Sequence, residues 1–416
     1  MISSIGPIVA LLFGTAFLLS ASGLHGLLLP LRGQIEGFSP ASLGLLGTAW
    51  AGGFIAGCYL APRLVRRVGH VRAFGAFAAG AAIIALLSGM FIDPIFWFVL
   101  RVGTGFVMAG AFMVIESWLN ERATNETRGS VFAIYMMVTH AAIMVGQMVV
   151  TLGDVSNAML FMFTGILFCL ALLPTAISTA ITPAPLADVS IDLKGLYANS
   201  PVAFVGCLLI GIANGAWGTL GAVYGAEVGI STLEIAIMMS IAVLAGALAQ
   251  LPAGRLSDRT DRRYVLAAAA VGSALVAIVI FAMAPRSGSI IIALVAFYGL
   301  LAYTLYSIVV AHANDHADSS DFVKVSSGLL LLYGAGTMAG PILAGVMMQF
   351  LRAESLFLVT GVAHLGVAGY ALFRVAQRAP VPVEEREAFT ALPSERTVTP
   401  QTIVLDPRVD EDEQQL

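Results

Sequence analysis

Charge is scarce in this sequence. Only 11% of its 416 residues are Asp, Glu, Lys or Arg, against 58% hydrophobic, and the mean hydropathy is +0.90. A soluble domain carries about a quarter charged residues, so a single water-soluble core could not hide this much apolar side chain. Cysteine is equally sparse: Cys58, Cys169 and Cys207 sit in apolar runs without paired spacing, which excludes a disulfide framework and leaves them as small hydrophobes. The net charge of -4 owes much to nine acidic residues in the last forty, and with that tail set aside nothing suits nucleic acid. A nucleotide-binding loop, a nucleophile triad and a metal-ligand cluster are all missing. His312, Asp315 and His316 lie close in sequence, but in a connecting loop that is read as part of a gate. Neither an enzyme, a cofactor nor a resident metal is expected.

Long apolar runs are what the sequence does have. A bilayer core of about 30 Å needs about 20 apolar residues per helix, and twelve stretches qualify: 5–31, 40–62, 71–92, 94–118, 129–152, 157–181, 200–225, 232–254, 264–284, 288–312, 323–350 and 353–376. The first lacks a basic leader and runs on too far for a removable signal, so it is read as a span. With both termini on one side, the loops and the last helix exit on that side hold fourteen Lys and Arg, and the loops on the other side hold three, Arg32, Arg286 and Arg352. The positive-inside rule makes the first side cytoplasmic. The expected organisation is a six-helix bundle over 1–181, a linker over 182–199, a second bundle over 200–376, and a disordered cytoplasmic tail over 377–416.

The two bundles read as copies. Sliding the chain by 192 positions lays "ASGLHGLLLPLRGQIEGFS" (21–39) on "ANGAWGTLGAVYGAEVGIS" (213–231), and "APRLVRR" (61–67) on "AGRLSDR" (253–259). After a shift of two more residues, Gly105 meets Gly299, Asn120 meets Asn314 and Gly146 meets Gly340. Parallel six-helix repeats of this kind describe a transporter with its site between the halves near the bilayer midplane.

"GRLSDRTDRR" (254–263) resembles the loop signature of the major facilitator superfamily, Gly-x-Leu-x-Asp-Arg-x-Gly-Arg-Arg. Gly254, Leu256, Asp258, Arg259, Arg262 and Arg263 match, and Asp261 stands where glycine is usual. The likeness covers about 1–376, and the order of segments is similar to the YcaD-like branch. The resemblance implies an all-α membrane protein with twelve transmembrane helices in two pseudo-symmetric bundles. It also implies that Asp258 closes a cytoplasmic gate against a helix N-terminus near Arg128, where the dipole favours a carboxylate. The first copy departs from the pattern, with Arg66 in place of the aspartate. A reversed latch follows as an expectation: Arg66 and Arg67 engaging Asp318 or Asp321, with Ser320 or Asp321 capping the next helix. The alternative is that these residues are solvated topology signals with no mutual contact.

Ionisable groups at membrane depth are functional candidates. Arg101, in "LRVGTG", resembles the family's fourth-helix Arg-x-x-x-Gly motif, which implies a part in proton coupling; otherwise it snorkels to the outer headgroups. His25 falls at comparable depth and is either a partner of Arg101 or a packing residue. His140 has the same two readings, and Glu116 is a coupling carboxylate or an interfacial one. Asn214, Trp217, Tyr298, Tyr333 and Gln147 are candidate solute contacts, with apolar packing the commoner use of such aromatics. "GTMAGPILAG" (336–345) resembles the antiporter motif but lies in the eleventh run rather than the fifth, so close packing or a bend at Pro341 is the simpler reading.

These residues lead to a monomeric secondary transporter for a small organic solute, anionic or zwitterionic, linked to protons and working by rocker-switch alternating access. It is placed in the bacterial inner membrane. Two alternatives stay open: a proton/drug antiporter for amphiphilic compounds, and a receptor or scaffold that keeps the fold without transport.

Overall fold

The computed structural model describes residues 9–124, 127–177, 192–317, 322–382, 386, 389–390 and 398–404. Fifteen α-helices occur among them: α1 Val9–Ile35, α2 Pro40–Val68, α3 His70–Met90, α4 Pro94–Arg122, α5 Arg128–Val149, α6 Met159–Ile177, α7 Leu193–Asn199, α8 Pro201–Glu227, α9 Thr232–Arg259, α10 Arg262–Met283, α11 Gly288–Ala302, α12 Leu305–Asn314, α13 Phe322–Phe350, α14 Ser355–Val375 and α15 Pro400–Val404. Eleven spans are long and apolar enough to cross a membrane, and Met159–Thr175 is a shorter apolar one. The chain is a multi-pass integral membrane protein.

Several helices outrun the apolar stretches that announce them. α2 continues through Arg63, Arg66 and Arg67, and α9 through Arg255 to Arg259, so most of "GRLSDRTDRR" is helix and not loop. Arginine is a good helix former and is favoured near a C-terminus by the helix dipole, which explains the extension. The tenth run is broken: α11 ends at Ala302, and α12 resumes at Leu305 after two turn residues. Within the linker region Asp192 accepts from the amides of Lys194 and Gly195 and starts α7. The tail, expected to lack structure, contains the short helix α15, and its residues 398–402 are buried.

The chain forms two compact units. One comprises Met1–Arg32, Ala49–Ser190 and Pro393–Leu416; the other comprises Gly33–Thr48 and Ile191–Leu392. Gly33–Thr48 belongs with the second because Thr48 donates to the Met338 carbonyl at 2.6 Å, and a Cβ on Gly44 would stand 2.2 Å from the Pro341 carbonyl oxygen. The "GTMAGPILAG" stretch therefore serves close packing.

Matching glycines build both units. A Cβ on Gly146 of α5 would lie 2.1 Å from the Ser20 carbonyl oxygen of α1, and one on Gly340 of α13 would lie 2.1 Å from that of Ile212 of α8. A Cβ on Gly105 of α4 would lie 2.0 Å from the Trp50 carbonyl oxygen of α2, and one on Gly299 of α11 would lie 2.5 Å from that of Ala242 of α9. Each contact recurs with both partners moved by the offsets of 192 and 194 that align the sequence with itself. Only glycine lets two helix backbones approach so closely, and the internal duplication is thus visible as paired helix crossings.

The three arginines on the sparsely charged side each find a partner. Arg32 donates to the Val155 carbonyl at 3.2 Å, Arg286 pairs with buried Glu354 at 2.7 Å, and Arg352 stacks over Phe281 with its guanidinium 4.2 Å from the ring centre.

Candidate functional site

In the first unit, α1 and α4 bring the two leading candidates into electrostatic range of each other. His25 is buried, packs edge-on against Phe161 with ring centres 6.3 Å apart, and has no hydrogen-bond partner on Nε2 among the described residues. Arg101, half-buried on α4, acts on that ring through its charge. His140 is half-buried, and its Nδ1 lies 2.8 Å from the Met136 carbonyl one turn earlier on α5. Gln147 is buried further along the same helix.

Glu116 is fully buried on α4, six residues before the helix ends, and so about 9 Å from that end. Its carboxylate accepts from the Tyr135 hydroxyl of α5 at 2.9 Å, from the Thr402 hydroxyl at 2.6 Å and from the Thr399 hydroxyl. Three hydroxyl donors offset the desolvation that a buried carboxylate would otherwise suffer.

In the second unit the aromatic candidates pack together. Trp217 of α8 lies 5.9 Å from Tyr298 of α11 and 5.7 Å from Phe357 of α14, and Tyr224 is 5.0 Å from Phe357. All four are buried, so here Trp217 and Tyr298 form core. His364 of α14 completes the cluster, its ring 5.6 Å from Tyr298, with neither ring nitrogen hydrogen-bonded among the described residues. Tyr333 instead packs against Tyr306 with the rings tilted and their centres 5.0 Å apart, and Asn214 is buried without a partner for Nδ2 among the described residues.

The charged turn between α9 and α10 is a closed network inside the second unit. Arg262 has a side chain only 1% exposed and grips Asp315 side-on, Nε to Oδ2 at 2.6 Å and Nη2 to Oδ1 at 3.2 Å. Its Nη1 donates to Asp258 at 2.9 Å and to Ser257 at 3.1 Å. Asp261 starts α10 and takes a fork of bonds from Arg263, whose Nη1 also reaches the Arg374 and Arg378 carbonyls at 3.2 and 2.8 Å. Burial alone would raise the Asp261 carboxyl, but the Arg263 bonds outweigh it and hold it below its ordinary value. Asp258 also accepts from the Phe389 amide at 3.3 Å, and the Phe389 ring fills the space beside Gly254, 2.1 Å from where a Cβ would be. The glycine that leads the signature is thus required by an aromatic ring from the tail.

The family model described as Major Facilitator Superfamily matches residues 202–408. Uncharacterized MFS-type transporters named YcaD, from Shigella flexneri and Escherichia coli, are 26% identical over 359 residues, 85% of this chain and 92% of theirs. The chain belongs to the major facilitator superfamily. It is a secondary transporter similar to the YcaD proteins. Its fold resembles the nucleoside transporter NupG, with a TM-score of 0.71 at 15% identity over 89% of this chain and 99% of that one. A bacterial homolog to the human lysosomal transporter Spinster, inward-facing and occupied, gives 0.70 at 16% identity over 92% and 98%.

Among the residues expected to form a gate, Arg66 and Arg67 are exposed near the end of α2, Arg259 is exposed at the end of α9, and Arg128 is buried as the first residue of α5. Asp318 and Asp321, and the cap expected at Ser320 or Asp321, lie outside the described residues. For Asp258 the partners among the described residues are Arg262 and Phe389 of its own unit, and sequence reasoning paired it with neither. It also passed over Asp315 as the partner of Arg262, and over His364. The rule that selected His25, an ionisable group in an apolar run, would have found His364 as well.

Proposed function

We propose that the protein is a proton-linked secondary transporter for a small anionic or zwitterionic organic solute, working by rocker-switch alternating access in a bacterial inner membrane. The observation that carries this reading is the electrostatic coupling of the Arg101 charge to the buried His25 ring in the first unit, two ionisable groups on apolar helices. The guanidinium offers a carboxylate a fork of donors, and the imidazole offers a proton that can travel with it. The distribution of Lys and Arg supports cytoplasmic termini.

Glu116 favours a second reading. A carboxylate buried in α4 suits a proton/drug antiporter that exchanges protons for amphiphilic cations. The experiment is flux in proteoliposomes under an imposed pH gradient, with labelled benzoate against tetraphenylphosphonium. Gradient-dependent benzoate flux that drops by about tenfold or more in Arg101→Ala is the expected result. Tetraphenylphosphonium flux lost in Glu116→Gln would move the assignment to the antiporter. Failure of both probes and of a wider solute panel to follow the gradient would leave the scaffold reading.

A further inference from the structure

Two of the three hydroxyls on Glu116 come from far along the chain. Thr399 and Thr402 belong to the tail segment grouped with the first unit, whereas Tyr135 is the neighbour that α5 supplies. The segment is shaped for the contact. The Thr399 amide donates to the Thr402 hydroxyl at 2.7 Å and the Gln401 amide to the Thr399 hydroxyl at 3.2 Å, so each hydroxyl accepts from the backbone and is left to donate to the carboxylate. Val398, Thr399, Gln401 and Thr402 are all buried, although this tail is polar and its composition gives it no core of its own. A polar tail segment that buries itself on a carboxylate inside the first unit is occupying a site.

We propose that Glu116 and Tyr135 form a binding site for hydrogen-bond-donating ligands in the first unit, and that residues 398–402 are its resident, removable occupant. With the tail seated, Glu116 is covered. With the tail released, a buried carboxylate keeps the Tyr135 hydroxyl and lacks two donors, a deficit that an incoming hydroxyl or amine would fill. The tail is thus a built-in competitor that switches access to Glu116. This assignment does not depend on which solute the carrier moves.

The test uses the full chain in proteoliposomes and needs no substrate. Dicyclohexylcarbodiimide attaches to accessible, protonated carboxyls in apolar surroundings, and its attachment at Glu116 is followed by mass spectrometry. Glu354, in the other unit and paired with Arg286, serves as the reference for an intact fold. Replacing both donors in the variant Thr399→Val/Thr402→Val keeps the side-chain shape and removes about two hydrogen bonds, so labelling of Glu116 should become about tenfold faster while Glu354 is unchanged. The variant Thr399→Ser/Thr402→Ser keeps both tail donors and is expected to change the rate by less than about twofold. Equal rates in the wild type and the valine variant would overturn the proposal, as would an acceleration by the serine variant matching that of the valine variant.

Discussion

At the turn between α9 and α10, Arg262 is sealed from solvent and holds Asp315 side-on, with Asp258 on its third nitrogen. The residue 192 positions earlier is His70, at the start of α3, and it is buried too. The residue 194 positions before Asp315 is Glu121, whose charge acts on the His70 ring, while the Ser117 hydroxyl lies 3.3 Å from its Nε2. Both units therefore set a base at the helix start against an acid from the end of a neighbouring helix. In the second unit the base is permanently charged and the acid is 2% exposed; in the first the base is an imidazole and the acid is exposed. Duplication preserved the positions of the basic and acidic residues, and divergence changed how much charge is buried there.

The largest expected effect separates these two contacts. Arg262→Ala leaves Asp315 buried without its cation and should cost about 3 to 5 kcal/mol in unfolding measurements on detergent-solubilised protein. His70→Ala removes a neutral hydrogen bond and some packing, and should cost about 1 to 2 kcal/mol. Equal losses would erase the contrast. The variant Arg262→Met/Asp315→Leu, which buries no charge, should recover most of what Arg262→Ala loses.

A smaller effect depends on pH. Burial holds the His316 ring below its ordinary value of 6.5, against the opposing effect of its hydrogen bond to the His312 carbonyl at 2.9 Å. The folded state therefore binds fewer protons at this ring than the unfolded state does. Stability attributable to His316 is complete above the unfolded value and falls as pH drops below about 6.5. Unfolding midpoints taken from pH 7.5 to 5 should fall less steeply in His316→Gln; identical slopes would show that this ring is not a sensor in the cluster. Its counterpart at the offset of 194 is Arg122, which cannot titrate in this range. Smallest of all is Asp258→Asn, because that carboxylate is 37% exposed and its pair with Arg262 should contribute only about 0 to 1 kcal/mol.

Much of the fold was legible because lipid imposes a simple rule. Runs such as 264–284 and 353–376 must be helices, since no other structure satisfies their backbone in a bilayer, and α10 and α14 follow them within a few residues. The helix ends were less legible, because α2 and α9 continue into arginine-rich segments that hydropathy reads as loop. For the candidate site, depth along a helix can be counted from sequence, and it placed His25 and Arg101 at comparable depth. The direction a side chain faces cannot be counted so simply, and Trp217 and Tyr298 turned out to face each other in the packed core of their unit.

The sequence by itself determined the class of protein, the order of its apolar runs, the duplication with its offsets, and the glycines that the two copies share. Each of these follows from local composition or spacing: apolar length against bilayer thickness, and the missing Cβ against a neighbouring backbone. Only the tertiary structure decided which acid holds Arg262, why Gly254 must be glycine, and what covers Glu116. Those answers join residues 53, 135 and 286 positions apart, and pairing over such distances is set by the packing of whole helices. The stretch "GRLSDRTDRR" announced a cytoplasmic turn. Asp315 and the tail made it a sealed network.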